Sequence, residues 1–191
     1  MRVYETILSI LEKNGPLPIP EICYEVNQVL TSHREKPILP SHIKSIVTRK
    51  KDLFRVNRGS ISIHPDKYPF SLIATQEGFG RISYQVRVNF VKNNFASLEW
   101  KNQDDCHPFS TIHPANSGNL EDFKRELYTV NIWDWEHSYR KEDGIILDGK
   151  YWSLKLKTMG KIYQSEGIEC FPPNWEKFCT AVEKLTGTPF R

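Results

Sequence analysis

Residues 38–63 read ILPSHIKSIVTRKKDLFRVNRGSISI, and the periodicity of their apolar positions changes once along the way. Ile43, Ile46 and Val47 repeat at the i, i+3, i+4 spacing of one buried helical stripe, and Pro40 stands where a first helical turn tolerates it. Ser41, His42, Lys44, Ser45, Thr48 and Arg49 then face outward. Beyond Arg49 the pattern becomes an alternation, Phe54 with Val56 and Ile61 with Ile63, joined through Asn57, Arg58 and Gly59. The stretch predicts a helix running into a hairpin with a short turn.

Two further helices are predicted upstream. Val3, Tyr4, Ile7, Leu8, Ile10 and Leu11 form a wide apolar stripe that stops at the breaker cluster Asn14-Gly15-Pro16. A second helix starts near Pro20, with Ile22, Val26, Val29 and Leu30 facing inward, and the polar, basic stretch from Thr31 to Pro37 links it to the third. Three helices followed by a hairpin is the winged-helix order, in which a recognition helix enters the major groove and flanking cations hold phosphates.

Charge concentrates in the same region. Between Arg34 and Arg58 eight basic residues stand against two acidic ones, an excess of +6, whereas the whole chain carries only +3. Ser41, His42, Lys44, Ser45 and Arg49 on the helix, with Lys50, Lys51, Arg55 and Arg58 beyond it, are therefore the candidate DNA-binding residues. The plainer reading of such a run is a solvated helix end.

The segments ILEKNGPLPIPEICYEV (10–26) and PILPSHIKSIVTRKKDLFRVNRGSISI (37–63) resemble the HARE-HTH winged-helix family of chromatin regulators, restriction endonucleases and the delta subunit of bacterial RNA polymerase. The resemblance covers about residues 1–66 and rests on GPL, then the polar linker, then DLFRV-RG-I. It implies a bacterial or phage DNA-associated module, or a protein-docking domain, and it brings no catalytic residue with it.

At 191 residues the chain has the length of one large or two small domains, and 39% hydrophobic with 12% aromatic content suffices for packed cores. No apolar run approaches the ~20 residues of a membrane span. The N-terminus lacks the order of a secretory signal, so a cytoplasmic protein without membrane contact is expected. Cys23, Cys106, Cys170 and Cys179 are scattered without a CxxC pair and are expected to be reduced thiols.

HPDKYPF at 64–70 marks a boundary. Residues 1–70 carry 11 basic and 7 acidic groups, a charge of +4, and the remainder 15 and 16, a charge of −1. The second part patterns as α+β. Ile82, Tyr84, Val86, Val88 and Phe90 alternate strictly, with Phe95 to Trp100 as partner strand across Lys92-Asn93-Asn94. A long polar loop from Asn102 to Asn119 and a short helix through Leu120, Phe123, Lys124 and Leu127 follow. Near the end, Trp152, Leu154 and Leu156 alternate, Met159-Gly160 turns the chain, and Ile162 to Ser165 returns it. Pro172-Pro173-Asn174 then opens a helix whose face carries Trp175, Phe178, Cys179, Val182 and Leu185, ended by Gly187.

The segment 148–187, DGKYWSLKLKTMGKIYQSEGIECFPPNWEKFCTAVEKLTG, resembles a C-terminal pattern of uncharacterised bacterial proteins, DG-x-x-W-x-L followed by small-G-x-N-x-YP-x-N-[FW]-x-x-F. Ser165, Gly167 and Pro172 to Trp175 match, while Glu169 stands where the pattern often has Asn. This implies a shared fold and no known chemistry.

Three constellations bear on catalysis or ligands. Glu99-Trp100-Lys101 has the ExK spacing of a restriction-type nuclease strand, but the upstream metal-binding carboxylate is not evident at Asp66 or Glu77. Cys106, His107, His113 and His137 are of zinc-ligand type in no standard spacing, and a surface loop is the plainer reading. Trp133, Trp135, Tyr139, Tyr151, Trp152 and Trp175 could form a cage, though a domain of this size uses such residues first as core.

The expectation is an α+β protein with an N-terminal winged helix-turn-helix domain (1–66) and a C-terminal α+β domain (71–191) with an antiparallel sheet and a terminal helix. It would bind double-stranded DNA as a transcriptional regulator or as a specificity accessory of a restriction or defence system. The alternatives are a module docking on a polymerase or nuclease and, more weakly, a metal-dependent nuclease. A protein partner or homodimer is a further expectation, and no cofactor or metal is implied.

Overall fold

The computed structural model describes residues 3–30, 37–78, 82–101, 110–112, 118–140 and 149–190, with side chains left aside at 101 and 110–112. These residues combine five α-helices with two β-sheets, a mixed architecture of α and β elements. The chain divides into two compact units, Met1–Tyr68 and Pro69–Arg191. Among the described residues no helix is long and apolar enough to cross a membrane.

In the first unit, α1 (Val3–Asn14) buries Ile7, Leu8, Ile10 and Leu11 of the expected stripe, while Val3 and Tyr4 at its start are only half-buried. It ends where Gly15, at φ 75°, returns its N–H to the Leu11 carbonyl at 3.0 Å. β1 (Leu17–Pro18) follows, a two-residue strand too short to leave a periodic signal. α2 (Ile19–Leu30) buries Ile22, Cys23, Val26 and Leu30. Val29, expected to face inward, is instead 47% exposed. Ile22, Val26 and Leu30 form the inner line at i, i+4, i+8, and Val29 falls outside the narrow stripe this helix buries.

α3 (Pro40–Arg49) is entered through a clamp built on Asn27. The Asn27 Oδ1 accepts from the Ile38 N–H at 2.8 Å, and its Nδ2 donates to the Ile38 carbonyl at 2.9 Å. Both backbone groups of Ile38, two residues before Pro40, are thereby satisfied. Leu39 takes the N-cap position and Pro40 the first turn, while Ile43 and Val47 go into the core.

β2 (Phe54–Asn57) and β3 (Ser60–Ile63) pair antiparallel, with Asn57 opposite Ser60. That leaves a two-residue turn, Arg58-Gly59, with φ 49° and 82°. Two consecutive positive φ values are the signature of the type I′ turn, whose twist matches that of the strands it joins. β1 adds to the far side of β3, with Leu17 opposite Ile61, giving the sheet order β1-β3-β2. Ile61 and Ile63 are buried, but Val56 at the hairpin end is 62% exposed.

The second unit is a seven-stranded sheet, β7-β6-β5-β4-β9-β10-β8. It contains β4 (Pro69–Glu77), β5 (Ile82–Asn89), β6 (Asn94–Lys101), β7 (Ser110–Ile112), β8 (Ser138–Tyr139), β9 (Tyr151–Thr158) and β10 (Ile162–Ile168). The sheet is mixed rather than wholly antiparallel, because β8 runs parallel to β10 at its edge. The expected loop between Asn102 and Asn119 contains β7, and the rest of it up to residue 117 lies outside the described residues.

Alternation assigns one face to the core, although Thr75 and Ser83 are also buried on the other. Leu72, Ala74 and Gln76 stand in register with Leu156, Leu154 and Trp152 on one side and with Val88, Val86 and Tyr84 on the other. α4 (Leu120–Val130) and α5 (Trp175–Thr186) bring their apolar residues to this face. Phe90 lies 6.3 Å from Phe123, and Trp152 lies 4.6 Å from Trp175. Trp135, Trp152, Phe171, Trp175 and Phe178 form one contiguous aromatic cluster with centroid spacings from 4.6 to 6.4 Å. Trp152 is completely buried at its centre. Large rings in offset and edge contact give such a core both area and defined geometry.

Candidate functional site

All nine residues expected at DNA are solvent-exposed: Ser41, His42, Lys44, Ser45 and Arg49 on α3, Lys50 and Lys51 just after it, and Arg55 and Arg58 on the β2–β3 hairpin. Helical geometry explains the first group. Ser41, Ser45 and Arg49 fall at i, i+4, i+8, away from the line of Ile43 and Val47 that anchors the helix. The Arg49 Nε lies 3.4 Å from the Ser45 carbonyl, so that side chain runs back along α3.

Lys50 departs from the group. Its ammonium sits 5.2 Å from the centroid of the Tyr4 ring on α1, a cation–π distance. With Val3, Tyr4, Ile46 and Arg49 it lines a shallow groove of about 260 Å³. On the hairpin, Arg55 alternates away from buried Phe54, and Arg58 occupies the first position of the turn. From residue 37 to 58 the cations Lys44, Arg49, Lys50, Lys51, Arg55 and Arg58 stand against Asp52, six against one.

In the second unit the nuclease-like carboxylates are not brought together. Glu99 is opposite Tyr84, which is opposite Gln76, whereas Glu77 is the next residue along β4 and projects to the other face of the sheet. Burial, and then the negative charge of Glu99, raise the Tyr84 phenol above the ordinary tyrosine range. The side chain of Lys101 lies outside the described residues, as do Cys106, His107 and His113. His137 is exposed, with Nδ1 3.1 Å from the Gln164 carbonyl oxygen. Among the described residues no three His, Cys, Asp or Glu side chains gather as a metal site. Cys23, Cys170 and Cys179 form no disulfide.

The C-terminal segment is knitted by backbone contacts. The Trp152 indole donates to the Cys170 carbonyl at 2.8 Å, and the Trp135 indole to that of Pro173 at 3.1 Å. Glu169 adopts φ 48° and its Oε1 accepts from the Lys150 N–H. Asn174, also left-handed at φ 63°, directs its Nδ2 toward the Val130 carbonyl at 3.4 Å. As the N-cap residue of α5 it makes no side-chain cap.

Beside this segment lies an open cavity of about 600 Å³, bordered by Gln76, Lys150, Phe171, Asn174, Trp175 and Lys177. Sequence reading did not find it. The available signal was Gln76 itself, a polar residue at the third position of the alternation that Leu72 and Ala74 begin. Compared with protein-family models, curated proteins and solved structures, the chain matches none.

Proposed function

We propose that Met1–Tyr68 is a winged-helix DNA-binding module of the HARE-HTH type. The chain then acts as a transcriptional regulator, or as a DNA-specificity accessory of a bacterial or phage restriction or defence system. In this reading α3 is the recognition helix, with His42, Ser45 and Arg49 at base edges, and the β2–β3 hairpin is the wing, with Arg55 and Arg58 on phosphates. The observation that supports it is the segregation on α3 and the hairpin: their cationic and hydroxyl side chains are exposed, while Ile43, Val47, Phe54, Ile61 and Ile63 are buried beneath them.

The test is the double variant Arg49→Ala/Arg58→Asn. Asparagine followed by Gly59 is the preferred type I′ pair, so the hairpin keeps its turn while the interface loses two cations. Duplex DNA binding should fall by more than tenfold, at about 1–3 kcal/mol for a lost base contact. Circular dichroism should be unchanged. Undiminished binding would remove α3 and the hairpin from the reading.

Docking on a polymerase or nuclease is the second reading. The apolar groove at Val3, Tyr4 and Ile46, together with exposed Tyr24, Val29 and Val56, favours it. Retention of a protein by this unit in the absence of any DNA affinity would select it.

A further inference from the structure

We infer that the outer face of the seven-stranded sheet in Pro69–Arg191 is a second contact surface for duplex DNA, with Arg87, Lys155 and Lys157 on its phosphates. The two α-helices described in this unit, α4 and α5, both bring their apolar residues to the opposite face. What the outer face carries is fixed by pairing register. Arg87, Ile73 and Lys155 lie side by side on β5, β4 and β9, and Lys157 takes the same face two residues on.

The charge there is segregated. All three cations are exposed, and the two rows they define contain no carboxylate when followed from β6 to β10. Residues 71–191 carry 15 basic and 16 acidic groups, so composition alone does not produce such a patch. In the next row Glu166 is engaged by Arg140 at 3.5 Å and by the Tyr151 phenol at 3.2 Å. Among the described residues no carboxylate pairs with Arg87, Lys155 or Lys157.

Arg87 is also held in place. Buried Thr75 accepts from the Gln85 Nε2 at 3.0 Å, and the Gln85 Oε1 accepts from the Arg87 Nε at 2.6 Å. With Nε engaged, the two Nη groups are the donors that remain, the fork that suits a phosphate. The Lys157 ammonium stands 5.1 Å from the Phe70 ring centroid, a contact that leaves its charge uncompensated by any anion. Sheet geometry spaces the three positions by ~7–10 Å, well within the ~34 Å of one duplex turn.

The occupant follows from the residue types. Single-strand binding relies on aromatic platforms, and neither row holds an aromatic residue. Cations beside hydroxyl and amide donors, here Ser71 and Gln164, are the groups that hold a duplex backbone. The choice of duplex DNA over other polyanions rests on the reading of Met1–Tyr68 proposed above.

Lysine acetylation footprinting of the full-length protein, with and without duplex DNA, reads the two units separately. Duplex should slow acetylation of Lys155 and Lys157 and leave Lys177 and Lys184, exposed on α5, unchanged. Protection of Lys44 and Lys51 reports the N-terminal unit, so failure of either surface is seen by itself. Lys155→Gln/Lys157→Gln should lower the magnitude of the logarithmic salt slope by about 2, in addition to the part that the first unit supplies. Lys177→Gln/Lys184→Gln, an equal loss of charge on the opposite side of the sheet, should leave the slope as it is. Both double variants replace exposed side chains, and circular dichroism should be unchanged. Lys155 and Lys157 unprotected by duplex, or equal slopes for the two double variants, would overturn the proposal. So would protection by single-stranded DNA or by phosphatidylserine vesicles in place of duplex.

Discussion

The indole nitrogen of Trp152 and the carbonyl oxygen of Cys170 meet at 2.8 Å directly beside Gly167 on β10, and the space between the elements is set by that glycine. A Cβ added there would stand 2.6 Å from both atoms. One of the two is backbone and cannot rotate away. Gly167→Ala should therefore destabilise the second unit by about 1–3 kcal/mol, the usual cost of overpacking. A denaturant midpoint equal to that of the unmodified chain would show that the loop yields freely.

Gly59 gives the opposite case. Nothing lies within 4 Å of a Cβ built on it, yet its φ is 82°. Gly59→Ala should cost roughly 1 kcal/mol through backbone strain alone. Gly59→Asn should recover part of that, because asparagine enters the left-handed region more readily. Thermal unfolding of the two variants checks the order, and equal losses would contradict it.

The Asn27 clamp should matter to the placement of α3. Asn27→Ala leaves the Ile38 N–H without its partner and the Ile38 carbonyl with only the Cys23 thiol at 3.1 Å, and should lower stability by about 1–3 kcal/mol. Hydrogen exchange at Ile38 should quicken, and protection that does not change would contradict a holding role.

The Tyr151 phenol should ionise late. Burial raises it first, and the Glu166 carboxylate, which accepts a hydrogen bond from the phenol at 3.2 Å, raises it further. A phenol whose folded value lies above its unfolded one contributes stability that is complete below the ordinary tyrosine range. That contribution is lost as pH climbs from there through the raised value. Glu166→Gln should bring the tyrosinate absorbance change to lower pH, and an unchanged titration curve would rule out the carboxylate as a cause.

Where burial follows period, the elements were legible. Ile43 with Val47, the alternation of β9, and the face of α5 from Trp175 to Leu185 are each read from spacing alone, whereas on β5 only Val86 and Val88 follow the period, Ile82 being exposed and Ser83 buried. What escaped has physical reasons. β1 and β8 are two residues long, so neither completes a period, and β8 depends on pairing with the distant β10. Val29 satisfies helical spacing but lies beyond the stripe that α2 buries. Glu169 illustrates a local rule: at φ 48° it occupies a conformation that asparagine enters easily.

For the candidate site, the exposed cations were readable as composition. The turning of Lys50 onto Tyr4 was not, since it brings together residues 46 positions apart. The cavity at Gln76 likewise requires β4, the 171–174 segment and α5 to meet, which no local pattern encodes.

The most direct test of the DNA-binding account is affinity for a duplex pool across a range of salt concentrations, for the unmodified protein and for Arg58→Asn. The six cations from Lys44 to Arg58 predict a logarithmic slope of about −5, and the variant should reduce its magnitude by about 1 at every sequence retained. A slope that the variant leaves unaltered, or no retention even at the lowest salt, would contradict it.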